Sequence, residues 1–335
     1  MECGSLAAAV AVARARTGWG RRPWAELALL DFITLPFSPT YRAEQAPLPH
    51  KAAASGRTPY RADHASGVFS SVMINRLTAI LAIVSLCLPA LEAEAQQLER
   101  ITISTDRSHF VTAGSGKQFR PWGVNYDHEE MEGKLLEDYW VDAWDTVVED
   151  FDEIAAIGAN TVRIHLQLAR FMKAADTPNV ENLNRLAKLL HLAETKGLYL
   201  DITGLGCYHK ADVPPWYDAL GEEDRWSVQE RFWGAVAKTC ANSPAVFCYD
   251  LMNEPILPGK KPESDWLAGE FGGKHFVQRL SLDLRGRERT EVAKAWIEKM
   301  VAAIREHDAE HLITVGVIPW ALTWPKAKPI FYSPE

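Results

Sequence analysis

The chain has 335 residues, of which 47% are hydrophobic and 24% charged, a balance typical of a globular protein with a sizeable core and not of a disordered chain or a fibre. Its net charge is −8 at pH 7, and residues 96–335 alone carry 27 Lys and Arg against 37 Asp and Glu, a net charge of −10. Nucleic acid is therefore excluded as a partner, because its phosphates favour the opposite sign.

A segment with the features of an export signal precedes the main body of the chain. From Met73 the sequence reads MINRLTAILAIVSLCLPALEAEAQ, with Arg76, an apolar stretch over 77–91 and an A-x-A pattern at 93–95. These features predict a secretory signal peptide over 73–95. The alternative is a transmembrane anchor, but the apolar stretch falls short of the ~20 residues that a spanning helix needs. We expect a secreted or periplasmic protein with no stable membrane association after cleavage.

Residues 1–72 are rich in Ala, Arg, Pro and Ser and show no sustained periodicity. Because a signal peptide acts at a true N-terminus, we interpret 1–72 as a mis-called extension that results from a start codon assigned too early. A twin-arginine export signal at Arg21 and Arg22 is the rival interpretation. Glu26 and Asp31 speak against it, because they interrupt the apolar run that follows.

Three cysteines follow the predicted cleavage site: Cys207, Cys240 and Cys248. In an oxidising compartment one disulfide is possible and one thiol is left over. The spacing fits neither a zinc module nor a disulfide-dense scaffold. Cys248 lies inside an apolar strand and is most simply a small core residue. The sequence therefore indicates no metal site.

Residues 96–335 alternate between apolar runs and helical patterns. Near-continuous apolar runs, typical of strands buried on both faces, occur at 118–126, 160–167, 197–206, 245–252 and 311–318. Helical spacing of apolar residues predicts helices over 143–157, 182–196, 224–240 and 291–306. This alternation predicts a parallel sheet with right-handed crossovers. Before the first run, ITISTDRSHFVTAGSGKQF predicts a hairpin with its turn at 114–116, which would close the bottom of a barrel.

The sheet can be open or closed, and the sequence favours the closed form. The segment GVNYDHEEMEG, at the end of the first run, has no G-x-G-x-x-G phosphate loop of the kind that an open dinucleotide-binding sheet carries there. We therefore predict a (β/α)8 TIM barrel, whose chemistry lies at the carboxyl ends of the strands. Polar residues stand at those ends: Asn125, Arg163, His165, His209, Asn253 and Glu254.

The fourth apolar run, AVFCYDLMNEPIL, ends in Asn253, Glu254 and Pro255. A carboxylate at a rigid strand end, partly buried and beside a neutral amide, suits a general acid. An isolated N-E-P tripeptide would equally fit a strand cap whose glutamate only meets solvent. Arg163 at the second strand end favours the catalytic interpretation, because a cation there can hold a carboxylate ionised. Aromatic residues that could stack on sugar rings also stand near strand ends or in loops: Trp216, Trp266 and Trp320.

PAVFCYDLMNEP, preceded by RFWGAVAKTCANS, resembles the fourth-strand signature of glycoside hydrolase family 5, the cellulase and mannanase family of the clan A retaining barrels. FRPWGVNY resembles the first strand of that family, and GANTVRIHLQ resembles its second strand with its arginine. The resemblance covers about residues 100–335.

The resemblance implies a retaining hydrolase of β-linked polysaccharides or oligosaccharides that needs no cofactor. Glu254 would be the general acid/base, Asn253 would hydrogen-bond the 2-hydroxyl of the sugar in subsite −1, and Arg163 would support the nucleophile. From their positions at strand ends and just past strand five, we also predict that Asn125, His209 and Trp320 bind substrate, the last as a sugar platform. The third strand departs from the family pattern, because DITGLGCYHK stands where many members have an aspartate and a histidine soon after the strand.

Retaining hydrolysis also needs a nucleophilic carboxylate about 5 Å from the acid, and in this family that residue ends strand seven. The fifth strand is the run at 311–318, and the final IFYSPE resembles the approach to strand six, so we expect a barrel truncated after about five to six strands. Glu335 comes too early to be the nucleophile. We therefore expect the 335-residue polypeptide to be inactive. The alternative function is a non-catalytic carbohydrate-binding protein or an inactive barrel fragment.

A long insertion, 256–290, follows the fourth strand and contains Trp266, Phe271 and His275. Long loops at this face of a barrel usually carry substrate contacts, so the insertion is a candidate lid or subsite wall. It could equally be a surface Ω-loop packed on its own aromatic residues.

Overall fold

In a computed structural model of the protein, the described residues are 98–126 and 134–318. The predicted extension 1–72, the predicted signal peptide 73–95, Trp320 and Glu335 lie outside them. Within the described ranges, none of the helices is both long and apolar enough to cross a membrane.

The chain begins with a small antiparallel sheet of β1 (Ile101–Ile103), β2 (Phe110–Thr112) and β3 (Gln118–Phe119). Strands and helices then alternate: β4 (Gly123–Asn125), α1 (Leu136–Asp142), α2 (Trp144–Ala156), β5 (Thr161–Gln167), α3 (Leu168–Phe171), β6 (Met172–Ala174), β7 (Thr177–Pro178), α4 (Val180–Lys196), β8 (Tyr199–Gly206), α5 (Pro215–Asp218), α6 (Glu222–Cys240), β9 (Val246–Asn253), β10 (Pro255–Ile256), β11 (Leu267–Phe271), β12 (Lys274–Arg279), α7 (Arg289–Arg305) and β13 (Leu312–Gly316).

The main sheet has five parallel strands in the order β13-β9-β8-β5-β4. Strands that succeed one another in this alternation are neighbours, and helices connect them, as in five consecutive units of a (β/α)8 barrel. The described strands form an open part of that barrel. All carboxyl ends meet at one edge, so residues that follow different strands come together there. The predicted barrel architecture is confirmed, with five of its strands in the described residues.

Apolar burial explains the positions of the helices. The inner face of α4 buries Leu186, Leu189 and Ala193, and that of α6 buries Phe232 and Trp233. At the end of α4, Gly197 adopts φ +71°, the left-handed conformation that glycine takes without steric cost. The predicted helices correspond to α2, α4, α6 and α7, and their bounds agree within two residues.

The small N-terminal sheet covers the amino-terminal ends of the barrel strands. Phe119 packs edge-on against Tyr199 at 4.9 Å and lies 5.6 Å from Phe247, ring centre to ring centre. The Tyr199 hydroxyl also donates to the carbonyl of Glu99 at 2.8 Å. The predicted turn is present between β2 and β3, where Gly116 has φ +68°. The predicted plug at the bottom of the barrel is therefore confirmed.

The predicted first strand, 118–126, is wrong in its extent. The structure divides it into β3 in the N-terminal sheet and β4 in the main sheet. Pro121, between the two, lacks the N–H that a continuous ladder needs. The next N–H, of Trp122, donates to the side chain of Asn160 at 2.8 Å.

The insertion after β9 is a small three-stranded sheet in the order β10-β12-β11 and not an Ω-loop. β11 and β12 form a hairpin, and Gly272 and Gly273 provide positive φ at its turn. Trp266 is buried, with the guanidinium of Arg225 4.5 Å from its ring centre, so it offers no open face to a sugar. Phe271, beside the turn, is 74% exposed.

The three cysteines of the described chain, Cys207, Cys240 and Cys248, are free and buried. The disulfide that the sequence left possible is therefore absent from this part of the molecule. Cys248 belongs to the core, as predicted.

Candidate active site

Three of the predicted site residues meet at the carboxyl edge of the main sheet. Arg163 lies in β5, Asn253 ends β9, and Glu254 follows directly. Arg163 Nη2 donates to Asn253 Oδ1 at 3.1 Å across the intervening strand β8. Asn125, at the end of β4, lies opposite Arg163 in the strand register.

Arg163 is the centre of a buried polar cluster, here called the Arg163 cluster, which contains Arg163, Asp201, Asp250 and Asn253. Nη2 of Arg163 lies 2.5 Å from Asp250 Oδ2, and Nε lies 3.7 Å from Asp201 Oδ2. Each of these side chains is nearly inaccessible to solvent. Because breaking a buried ion pair leaves an uncompensated charge, this cluster fixes the guanidinium firmly.

Asp250 and its neighbours are closely packed. Its Oδ2 also accepts a hydrogen bond from Thr203 Oγ1 at 2.9 Å. A Cβ added to Gly316 would lie 2.9 Å from Asp250 Oδ2 and 3.1 Å from Arg163 Nη2. Glycine is therefore required at the end of β13, because any side chain there would enter the cluster.

Asp201 brings a second carboxyl group to one guanidinium. Burial, reinforced by the negative charge of Asp250, raises the pKa of Asp201 to about 7, although Arg163 and a hydrogen bond from Cys248 Sγ at 3.4 Å oppose this shift. Below that pH Asp201 carries a proton, and the cluster then holds one cation and one anion. This charge balance is what burial favours.

Glu254 has the backbone and the electrostatics of a functional residue. Its φ is +44°, a conformation that is rare and strained outside glycine and that clusters at active sites. The Glu254 N–H donates to the Gly316 carbonyl at 2.7 Å, which holds this conformation in place. Partial burial raises the pKa of the Glu254 carboxyl, and the charge of Arg163 limits the rise. A carboxyl group with a raised pKa can carry a proton at the pH where an acid catalyst must donate it.

Residues 117–327 match the family model described as cellulase, glycosyl hydrolase family 5. The chain belongs to glycosyl hydrolase family 5. A mannan endo-1,4-β-mannosidase A from Emericella nidulans is 25% identical over 194 residues, which are 50% of this chain and 43% of that protein. The structure of an exo-β-1,4-mannosidase from Opitutaceae bacterium strain TAV5 is 21% identical with a TM-score of 0.50, over 64% of this chain and 34% of that one. The resemblance to the Opitutaceae structure supports the fold. The chain spans less than half the length of either relative.

The other predicted binding residues lie farther from Glu254 or outside the described residues. Asn125 Oδ1 is buried and has no hydrogen-bond partner among the described residues, so it could accept one from a ligand. His209 lies in the loop after β8 and lines a depression over the ends of β5 and β8 with Gln167, Arg170 and Tyr208. It is not part of the Arg163 cluster. Trp320 lies outside the described residues.

The family 5 motifs do not predict Asp201 and Asp250, the two carboxyl groups that lie beneath Glu254. Asp201 and Asp250 were hidden within apolar runs, although an acidic residue in a strand buried on both faces is itself a signal of a paired charge. His165 and Tyr208 form another unpredicted pair, in which His165 Nδ1 hydrogen-bonds the Tyr208 hydroxyl. Within 98–126 and 134–318 there is no group of three His, Cys, Asp or Glu side chains that could hold a metal ion.

Proposed function

We propose that the protein is a retaining glycoside hydrolase that cleaves O-glycosidic bonds of β-linked polysaccharides or oligosaccharides. The observation that carries this proposal is Glu254, a strained and partly buried carboxyl group with a raised pKa at the end of β9. In the first step its proton passes to the leaving glycosidic oxygen. In the second step the resulting carboxylate takes a proton from the water that attacks the glycosyl-enzyme.

Arg163 and Asn253 have separate tasks in this proposal. Arg163 contributes positive charge close to Glu254, which keeps the pKa of this carboxyl group from rising so far that it would become a poor proton donor. Asn253 would hydrogen-bond the 2-hydroxyl of the sugar at the cleaved bond. Asp201 and Asp250 hold the Arg163 guanidinium in place, and Arg163 in turn donates to Asn253.

The reaction requires a second carboxylate about 5 Å from the acid. Asp201 and Asp250 do not fit this task, because both are buried within the sheet and committed to Arg163. The family resemblance assigns the nucleophile to the end of barrel strand seven. The strand β13 corresponds to barrel strand five, so the nucleophile is expected beyond the five strands described here.

A β-1,4-linked mannan is the first substrate to test. The fungal relative at 25% identity is described as a mannan endo-1,4-β-mannosidase, and its name supports a β-mannan more than a β-glucan. Both polymers belong in the test, because glucose and mannose differ only in the orientation of the 2-hydroxyl group.

Glu254→Gln tests the proposal in a form of the protein that contains all eight barrel strands, called the full-length protein below. Glutamine keeps the shape but cannot donate the proton, so release of reducing sugar from β-mannan or β-glucan should fall by roughly 10²–10⁴-fold. The matched control is Glu270→Gln, because Glu270 is an exposed acid in β11. A Glu254→Gln variant that kept its activity would contradict the proposal. An unaltered full-length protein that binds the glycan without any turnover would favour the carbohydrate-binding alternative.

We also propose that the protein is exported and that the signal is residues 73–95. The basic residue, the apolar stretch and the A-x-A pattern support this assignment. N-terminal sequencing of the protein secreted by its source should give Gln96 as the first residue. An N-terminus upstream of Met73 would contradict it.

A further inference from the structure

The hairpin of β11 and β12 is attached to the candidate active site at several points. β12 pairs in parallel with β10, the strand that directly follows Glu254. The His275 N–H donates to the Tyr208 carbonyl at 2.7 Å, and Gln278 Nε2 donates to the Leu205 carbonyl at 2.8 Å. The strand β12 therefore lies across the carboxyl ends of both β8 and β9.

β12 also contacts the amide of Asn253 directly. Asn253 Nδ2 donates to the carbonyl of Phe276 at 2.7 Å, while Asn253 Oδ1 accepts from Arg163 Nη2 at 3.1 Å. Turning the amide over would place its NH2 group against a guanidinium and its oxygen against a carbonyl, so both contacts favour the same orientation. Among the described residues the second Nδ2 hydrogen has no partner, which leaves it for a ligand.

We propose that β12 is a positioning strand for sugar recognition, because the Phe276 carbonyl fixes the Asn253 amide so that its second N–H meets the 2-hydroxyl of the bound sugar. This inference rests on the proposed function. The Phe276 ring steadies the carbonyl by packing on Tyr208, with ring centres 4.9 Å apart, and the Tyr208 hydroxyl is bound in turn to His165 in β5. The insertion thereby acts at the one carbon where glucose and mannose differ.

The test compares two ligands on the same protein. Three iminosugar inhibitors are titrated calorimetrically into the full-length protein. Two carry a hydroxyl at the position equivalent to C2, one in the manno and one in the gluco configuration, and the third lacks this hydroxyl. The unaltered protein should prefer the hydroxylated ligand of one configuration by about tenfold in Kd, the scale of one hydrogen bond in a dry site. Phe276→Ala should reduce this ratio to about twofold or less, because the carbonyl loses the ring packing on Tyr208 that steadies it. Phe276→Leu keeps more of the packing and should give an intermediate ratio.

The ratio separates positioning from a general loss of structure, because loosening of the fold weakens both ligands alike. Glu270→Ala, on the exposed part of the same hairpin, should keep the full preference. If Phe276→Ala does not fold, Phe276→Leu decides the outcome. A preference that survives undiminished in the folded Phe276 variants would overturn the positioning role and leave the proposed function intact. An unaltered protein with no preference, or no binding, would instead contradict the role of Asn253 in the proposed function and the inference with it.

Discussion

Replacing Asp201 with asparagine tests the charge balance of the Arg163 cluster. Burial raises the pKa of this carboxyl from its ordinary 3.8 to about 7, so the folded protein holds a proton here that the unfolded chain has already lost. The contribution of Asp201 to the free energy of unfolding is therefore fully present below about pH 4, decreases as the pH rises through this window, and is lost above about pH 7. The difference between the two pKa values corresponds to on the order of 4 kcal/mol in the free energy of unfolding.

Asparagine imitates the protonated carboxyl and does not titrate. Its oxygen can face Arg163 Nε, where Asp201 Oδ2 now lies at 3.7 Å, and its NH2 group can face the Cys248 sulfur. Because that exchange of partners is imperfect, we expect asparagine to recover about half of this free energy. The free energy of unfolding should therefore rise by ~2 kcal/mol at pH 8 and hardly change at pH 4.

The assay is the free energy of unfolding from denaturant titrations at pH 4, 5, 6, 7 and 8. Asp176→Asn, at an exposed position, is the control and should follow the unaltered protein throughout. An Asp201→Asn variant that is less stable at every pH above 4 would refute the reasoning, because it would mean that Asp201 is ionised and stabilises Arg163 as an ordinary ion-pair partner.

Three further predictions concern the Arg163 cluster and the buried thiols. Asp250→Ala leaves the Arg163 guanidinium without its 2.5 Å partner and should lower the free energy of unfolding by roughly 3–5 kcal/mol; a loss below about 1 kcal/mol would mean that Asp201 can replace Asp250. Gly316→Ala should cost roughly 1–3 kcal/mol because its Cβ enters the cluster. Gly221→Ala, at the N-cap of α6 with open space around its Cβ, should cost less, about 0.5–1 kcal/mol; a melting temperature no lower for Gly316→Ala than for Gly221→Ala would contradict the close packing. Iodoacetamide should leave Cys207, Cys240 and Cys248 unlabelled in the native protein, because the thiols are buried and burial raises the pKa of each; peptide mass spectrometry that finds Cys248 labelled without denaturant would refute this.

The main sheet and the meeting of Arg163 with Asn253 could be predicted from the sequence. Strands buried on both faces give continuous apolar runs, and the ends of parallel strands share one edge whatever the lengths of the helices between them. Glu254 follows from the same logic, because it stands directly after such a run. The meeting of these residues at one edge of the sheet therefore depends only on the order of the strands.

The support beneath Glu254 could not be predicted in the same way. The pairing of Arg163 with Asp201 and Asp250 depends on which faces of β5, β8 and β9 point into the barrel. A register shift between β8 and β9 at Leu200 and Asp201, and another between β13 and β9 close to Glu254, alter that alternation. Neither the positive φ of Glu254 nor its bond to Gly316 has a signature in composition.

The hairpin after β9 could not be predicted either, because its strands have only a weak pattern of alternating apolar residues. β11 and β12 have five and six residues, lie in an insertion and place few apolar residues in alternation. The sequence does not show which aromatic residues of the hairpin are buried. In the structure Trp266 packs under Arg225, whereas Phe271 is exposed. The bond between Asn253 and Phe276 joins residues 23 positions apart, and only the docking of β12 brings them together.

The acid/base role of Glu254 is tested most directly by the dependence of Glu254→Ala activity on the leaving group. In the full-length protein, kcat/KM should fall at least 10²-fold on a β-linked oligosaccharide, whose leaving oxygen needs a proton. On a dinitrophenyl glycoside, whose leaving group departs unprotonated, formation of the glycosyl-enzyme should stay within about tenfold of the unaltered protein. An equal loss on both substrates, or no loss on either, would contradict the assignment of Glu254 as the general acid/base.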